Sequence, residues 1–200
     1  MNAASFQTGP VAPGAYVALF GLDLAGTSGT GTNPAVTFNG LSASVIYSSP
    51  TQINLIVPPS LSGQTSAAVV VSVSGQVSNS FTLALTANEP GIFTPGILNS
   101  DSSVNSASKP ATRGTFVQVY LTGLAIPVLG GSITVNMGSQ TGITTLYAGA
   151  QPTYPALDQV NVTVPASLTF TGNSTPLTVC VSSLLLSAPV CSNSVSLYVQ

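Results

Sequence analysis

Charged side chains are almost missing from this sequence. Of its 200 residues, two are Lys or Arg, four are Asp or Glu and none is His, so that 3% are charged, against roughly 25% in an ordinary soluble domain. Two cations, Lys109 and Arg113, cannot neutralise a run of phosphates, which excludes a nucleic-acid partner. Without histidine, the usual base for a serine or cysteine nucleophile is lacking. We therefore expect that the protein is not an enzyme.

The few carboxylates are scattered along the chain, at Asp23, Glu89, Asp101 and Asp158. Glycosidase chemistry needs two carboxyls about 5–10 Å apart, and only Glu89 and Asp101 lie in the same region of the sequence. No Asp-rich run of the kind that binds calcium occurs. The glycine-rich stretch 26–31 lacks the lysine of a phosphate-binding loop. We predict no catalytic residue, no cofactor and no metal site.

Long hydrophobic runs are also absent, although the mean hydropathy is +0.50. Ser, Thr, Asn, Gly or Pro breaks every apolar stretch well before the roughly 18 residues that a membrane-spanning helix needs. We expect no transmembrane segment. A surface of uncharged polar residues fits an exported or assembled protein better than a cytosolic one.

Cysteine occurs twice, at Cys180 and Cys191. The two residues lie at the ends of neighbouring strands in the last predicted hairpin, where opposed positions reach the Cβ separation of about 3.5–4.5 Å that a disulfide needs. We predict a structural disulfide, and the alternative is a pair of buried free thiols. Because disulfides persist in oxidising compartments, we expect an extracellular or cell-surface location.

The sequence contains an internal repeat. The pattern Pro-x-x-x-Gly-x-aromatic-Val begins at Pro10 and begins again at Pro110, an offset of 100 residues. Three further blocks recur in the same order, at Tyr47 and Tyr147, at Gln52 and Gln159, and at Val77 and Cys191. Four blocks in one order indicate two copies of a single domain.

The repeat places the domain boundaries. We predict a first domain over residues 1–87 and a second over residues 105–200. The residues between them, 88–104, contain Pro90 and Pro95 together with Gly and Ser. This composition is typical of a short, semi-rigid linker.

Both copies have the pattern of short β-strands. Segments of four to eight residues are rich in Val, Ile, Thr, Tyr and Phe, and Gly, Pro, Asn or Ser separates them. This spacing predicts an all-β protein made of two tandem immunoglobulin-like antiparallel β-sandwiches. The predicted strands are 16–20, 35–38, 43–47, 52–57, 67–73 and 80–85 in the first copy, and 116–122, 132–136, 144–147, 159–164, 177–182 and 194–199 in the second.

A set of short motifs covers almost the whole chain. They are NAASF at Asn2, VTFNG at Val36, TQIN at Thr51, PGIFT at Pro90, LYAG at Leu146 and QVN at Gln159. In this combination the sequence resembles the IPT/TIG-like immunoglobulin domains, in the tandem C-terminal form found in secreted proteins of acidobacteria. The resemblance implies two immunoglobulin-like sandwiches, usually appended to larger exported proteins, and it brings no catalytic residue or cofactor.

These observations favour a non-enzymatic extracellular structural protein that assembles with itself into a homo-oligomer, a filament or a surface layer. A chain with so little charge has no repulsion to keep copies apart, and a polymer buries its apolar surface. Strand addition at a sandwich edge is the natural joint, with residues 1–8 or 194–200 as the donated segment. The alternative is an adhesion module of a larger secreted protein, binding carbohydrate or a cell-surface protein through the loops 26–33 and 148–155.

Overall fold

The computed structural model describes residues 1–25, 34–125, 131–183 and 186–200. The chain divides into two compact units, Met1–Ala87 and Asn88–Gln200. In the described residues the regular structure is all β, apart from a single 3-10 turn at Pro59–Leu61. None of these residues forms a helix long and apolar enough to cross a membrane.

The first unit is an antiparallel β-sandwich, with eight strands among its described residues. They are β1 (Tyr16–Phe20), β2 (Ala35–Phe38), β3 (Leu41–Ser42), β4 (Ser44–Ser48), β5 (Gln52–Ile56), β6 (Ser66–Val73), β7 (Gln76–Val77) and β8 (Phe81–Ala84). One sheet has the order β1-β5-β4, and the other has the order β3-β2-β6-β7 with β8 also paired to β6. Alternate residues of β5 and β6, such as Ile53, Leu55 and Val69, are buried between the sheets.

The second unit repeats this plan, with nine strands among its described residues. They are β9 (Gly91–Asn99), β10 (Phe116–Thr122), β11 (Ser132–Met137), β12 (Gln140–Thr144), β13 (Tyr147–Ala150), β14 (Asp158–Thr163), β15 (Ser174–Ser182), β16 (Val190–Cys191) and β17 (Val195–Tyr198). One sheet has the order β13-β14-β10-β9, and the other has the order β12-β11-β15-β16 with β17 also paired to β15. The fold is the all-β pair of immunoglobulin-like sandwiches that the strand spacing predicts.

The register of the strands follows the sequence repeat. Tyr16 pairs with Ile56 across β1 and β5, and Phe116 pairs with Thr163 across β10 and β14. The prediction of a single strand over residues 144–147 is wrong, because β12 ends at Thr144 and β13 begins only at Tyr147. Leu146, between the two strands, donates its backbone N–H to β14.

The residues expected to form a linker, 88–104, belong to the second unit instead. Within them Gly91–Asn99 forms β9, which pairs with β10. The sequence predicts a linker here because proline has no backbone N–H to donate to a neighbouring strand. Pro95 avoids this cost because it lies where the register shifts, between the pairs made by Val119 and Leu121. The shift in register therefore lets a proline-containing segment serve as a strand.

Candidate functional site

The strand β9 closes the sandwich of the second unit. The side chains of Ile92 and Ile97 are 0% and 5% exposed and belong to the core. The backbone N–H of Ile92 donates to Oδ1 of Asn193 at 2.7 Å, and Nδ2 of Asn193 donates to the carbonyl of Ile92 at 3.1 Å. The asparagine carboxamide thus bonds β9 as the backbone of a neighbouring strand would.

In the described residues of the first unit, β1 is the last strand of its sheet. The pairing that these residues show on the outer edge of β1 comes from residues 1–3. Asn2 forms a bridge to Val17, and the amino group of Met1 donates to the carbonyl of Ala18 at 3.0 Å. Backbone groups that point away from β5 alternate along β1, so the next ones after Ala18 belong to Phe20. The N–H and C=O of Phe20 lie past the residues that pair with Met1 and Asn2.

A cleft of about 440 Å³ opens in the first unit beside this edge. Core side chains line it, among them Phe38, Leu55 and Val71, which are all buried. The rings of Phe20 and Phe81 also line it and are 51% and 66% exposed. Among the described residues that line the cleft, none has a charged side chain. The cleft is therefore an apolar opening into the core of the sandwich.

The central strands of both units bury the same paired residues, and Val17 and Leu55 of the first unit are 4% and 0% exposed. Val17 pairs with Leu55 across β1 and β5, as Val117 pairs with Val162 across β10 and β14. Val117 and Val162 are 0% exposed and share a core cluster with the two isoleucines of β9. The core cluster of the first unit, as far as that unit is described, has no side chain from a corresponding strand. In the first unit Asn2 pairs with Val17 at the place where Asn99, the last residue of β9, pairs with Val117 in the second.

The asparagine that holds β9 also has a counterpart at the cleft. Ser78 and Ser192 each accept a backbone N–H from the neighbouring strand at 3.0 Å. Each also donates its hydroxyl to the carbonyl of the following asparagine, Asn79 or Asn193, at 2.9 Å. The two asparagines therefore have the same local geometry, and Asn79 lines the cleft. The sequence repeat aligns Asn79 with Asn193, but the role of Asn193 is seen only in its hydrogen bonds to Ile92.

The cysteines form a disulfide in the second unit. Cys180 in β15 and Cys191 in β16 are directly paired in register, with an S–S distance of 2.02 Å and a Cα–Cα distance of 4.0 Å. Cys180 is buried and Cys191 is exposed. The link ties the short strand β16 to the long central strand of its sheet.

The carboxylates have separate structural environments. Oδ2 of Asp158 accepts the backbone N–H of Leu124 at 3.0 Å, and burial raises the pKa of Asp158 to about 6 against the lowering effect of that bond. Burial also raises the pKa of Glu89. Hydrogen bonds from the hydroxyl and backbone N–H of Ser103 lower the pKa of the exposed Asp101. In the described parts of the chain, no group of three or more His, Cys, Asp or Glu residues comes together.

Of the two loops predicted to bind a partner, the structure describes one, the loop 148–155. The loop 26–33 lies outside the described residues. In the loop 148–155, Oε1 of Gln151 accepts the backbone N–H groups of Thr153 and Tyr154 at 2.7 and 2.8 Å. This turn leaves the ring of Tyr154 59% exposed.

Comparison with known proteins agrees with the fold. Residues 2–85 match the family model of the IPT/TIG domain, which supports an IPT/TIG-like immunoglobulin fold for the first unit. No curated protein matches the chain in sequence. Among solved structures, the chain is similar to the crystal structure of a gamma-CGTase from Alkalophilic bacillus clarkii, with 14% identity and a TM-score of 0.32. The match covers 94% of this chain and 24% of that one.

Proposed function

We propose that the protein is a non-enzymatic extracellular structural protein, a subunit of a filament or surface assembly that joins its partners by strand addition. The observation that carries this proposal is the end of β1 at Phe20, where the outer edge lies past the pairing of residues 1–3 and beside an apolar cleft. An exposed strand edge presents unpaired N–H and C=O groups that template pairing with another chain. IPT/TIG domains, which often occur in extracellular or surface modules, provide such sandwiches.

The charge balance supports association. The chain has a formal net charge of −2 at pH 7 and six ionisable Lys, Arg, Asp and Glu side chains in all. Proteins usually protect an edge strand with charged side chains, especially lysine, and stay monomeric through net charge. None of the described side chains along β1 or the cleft is charged.

The two terminal segments predicted as donors are paired within their own units in the isolated chain. In residues 1–8, Asn2 is buried and pairs with Val17. In residues 194–200, the strand β17 pairs with β15, and the backbone N–H of Gln200 donates to the carbonyl of Ala111. Donation of either segment to a neighbouring subunit therefore requires that it leave its own sheet.

An extracellular location fits the same proposal. A disulfide is stable in oxidising compartments, and the link between Cys180 and Cys191 joins paired strands. The resemblance to tandem domains of secreted acidobacterial proteins supports the same location. A surface of Ser, Thr, Asn and Gln suits a protein whose faces are packed against other subunits.

The test measures assembly of the chain across a concentration series, with light scattering and negative-stain electron microscopy as the two readouts. We expect filaments or ordered arrays from the unmodified chain, and a shift toward monomer for Phe20→Lys, which places a charge on the open edge. The control is Leu146→Lys, which places the same charge on an exposed residue of the second unit and leaves assembly unchanged. A strictly monomeric chain at every concentration contradicts the proposal.

The second candidate function is adhesion to carbohydrate or to a cell-surface protein through the loop that contains Tyr154. The exposed ring above a hydrogen-bonded turn is the observation that favours it. Aromatic rings with one face free are suited to a ligand that is apolar on one side and polar at its rim. A glycan-array signal that Tyr154→Ala abolishes supports this function, and a blank array over many polysaccharides counts against it.

A further inference from the structure

The turn between β2 and β3 contains the one Asn-Gly pair of the sequence, Asn39-Gly40, within the VTFNG motif. Both residues are exposed, and both have a positive φ, 50° and 80°. We propose that Asn39 is a site of spontaneous deamidation, and that hydrogen bonds at the start of β6 suppress the reaction in the folded chain. The extent of modification therefore reports how often this turn opens. The proposal goes beyond the filament function and does not depend on it.

Deamidation at this pair needs no catalyst and takes only water as a co-reactant. The backbone nitrogen of Gly40 attacks Cγ of Asn39 and gives up its proton, so that an N–Cγ bond forms. The Cγ–Nδ2 bond breaks and ammonia leaves with that proton, which produces a five-membered succinimide. Water then opens the ring at either carbonyl carbon and yields aspartate or isoaspartate. Asparagine is among the thermolabile residues of proteins because of such chemistry.

Gly40 makes the attacking nitrogen accessible. A Cβ atom built at Gly40 has no atom within 4 Å, so the turn is open around this residue. Glycine also has no side chain of its own to shield its nitrogen. Among the described residues, none accepts a hydrogen bond from the backbone N–H of Gly40. The nucleophile is therefore exposed and unbonded, and the position of the carboxamide of Asn39 limits the reaction.

The carboxamide of Asn39 is held by three contacts at the start of β6. Oδ1 accepts the backbone N–H of Ala68 at 2.7 Å. Nδ2 donates to Oε1 of Gln64 at 2.7 Å and to the carbonyl of Ser66 at 3.4 Å. The backbone N–H of Asn39 also donates to the carbonyl of Ala68, at 2.9 Å. Succinimide formation requires this carboxamide to leave Ala68 and turn onto the nitrogen of Gly40.

The second unit has glycine in place of asparagine at this turn. Gly138 follows β11 as Asn39 follows β2, and its backbone N–H donates to the carbonyl of Pro176 as that of Asn39 donates to Ala68. Gly138 also has a positive φ, 58°. A Cβ atom at Gly138 would overlap Oγ1 of Thr175, so this turn excludes a side chain. Asn39 meets the same backbone demand and adds its contacts to β6, so the reactive pair belongs to the first unit.

The products of the reaction cannot restore the native turn. A carboxylate at position 39 has no N–H to donate to Gln64 or Ser66, and it places a negative charge beside their oxygens. Isoaspartate adds a carbon atom to the backbone of a two-residue turn, whose length fixes the pairing of Phe38 with Leu41. Phe38 is buried, so loss of this pairing extends to the core of the first unit. Because ammonia has left, the change is irreversible.

The experiment incubates the full chain at neutral to mildly basic pH, with and without denaturant. Peptide mapping with mass spectrometry measures deamidation at each asparagine, since exchange of the amide NH2 for OH raises the peptide mass by nearly one dalton. We expect Asn39 to react first in denaturant. In the folded chain it should react at least about tenfold more slowly, because the reaction waits for the turn to open. Asn173, which precedes serine in the second unit, is the reference within the same sample.

Variants separate the role of the hydrogen bonds from general destabilisation. Gln64→Ala removes the nearest acceptor of Nδ2, and we expect deamidation of Asn39 in the folded chain to be about threefold to tenfold faster. Gln64→Glu keeps an oxygen acceptor at this place and should react at the unmodified rate. Gln76→Ala, the same exchange at an exposed glutamine of the same sheet, should also leave the rate unchanged.

Two results would overturn the proposal. One is an equal rate at Asn39 in the folded and the unfolded chain, because the contacts to β6 then give no protection. The other is an equal rate in Gln64→Ala and Gln76→Ala, because the acceptor then has no role. Gln64 and Gln76 are both exposed, and a thermal unfolding curve verifies that each variant folds.

Discussion

Replacing Asn193 by alanine tests the contact on which the comparison of the two units depends. The carboxamide of Asn193 makes two hydrogen bonds, of 2.7 and 3.1 Å, to the backbone of Ile92. Ile92 is completely buried in the core of the second unit. The truncation therefore leaves a buried N–H and a buried carbonyl without these partners. The matched control is Asn79→Ala in the first unit, where the same side chain lines a cleft.

The magnitude follows from the two lost bonds. A typical hydrogen bond contributes about 0.5–1.5 kcal/mol to stability, and an unsatisfied buried group costs about 1–3 kcal/mol. Because Asn193 is half-buried, water can enter and replace part of the bonding, which places the loss near the lower end. We expect Asn193→Ala to lower the free energy of unfolding of the second unit by about 2 kcal/mol. Asn79→Ala should change the first unit by less than about 0.5 kcal/mol.

Native-state hydrogen exchange with mass spectrometry separates the two units by their peptides. A loss of about 2 kcal/mol corresponds to exchange that is roughly thirtyfold faster in peptides covering β9 and β10. Peptides of the first unit serve as the reference within the same sample. If Asn193→Ala and Asn79→Ala have equal effects on their own units, Asn193 does not hold β9 in place.

Two further predictions concern the second unit. Replacing both Cys180 and Cys191 by serine removes a disulfide with a sequence separation of 11. The chain-entropy relation gives a loss of about 3 kcal/mol in the free energy of unfolding. Denaturant titration measures this loss, and an unchanged unfolding midpoint would contradict the prediction. Folding raises the pKa of Asp158 from 3.8 to about 6. The stability that its protonated carboxyl contributes is therefore fully present below about pH 4 and is lost as the pH rises through about 6. The total loss is about 3 kcal/mol of unfolding free energy. Asp158→Asn keeps an acceptor for the N–H of Leu124 without a charge, and we expect this variant to be more stable at pH 7 and to lose that pH dependence; the same slope in both proteins would rule out Asp158 as its source.

The strands that the sequence predicts well are those whose alternation matches a sandwich with one buried face. In β14, for instance, Val160 and Val162 are buried and Asn161 between them is partly exposed. The strands β1, β2 and β10 have the predicted bounds because turn residues flank each of them. Periodicity and turn chemistry are local properties, and a single sequence contains them in full.

The strand β9 could not be recognised in this way. Its proline and glycine residues indicate a linker, and the partners that make it a strand lie far away in the sequence. Asn193 is separated from Ile92 by 101 positions. The contact between Asn193 and Ile92 was missed for the same reason, because no local pattern joins residues so far apart.

The two units together show how strand addition is built into the repeat. The last strand of the first unit, β8, ends at Ala84, and the segment that follows it begins at Gly91 to form the strand that completes the second unit. One sandwich is therefore completed by the segment that follows another.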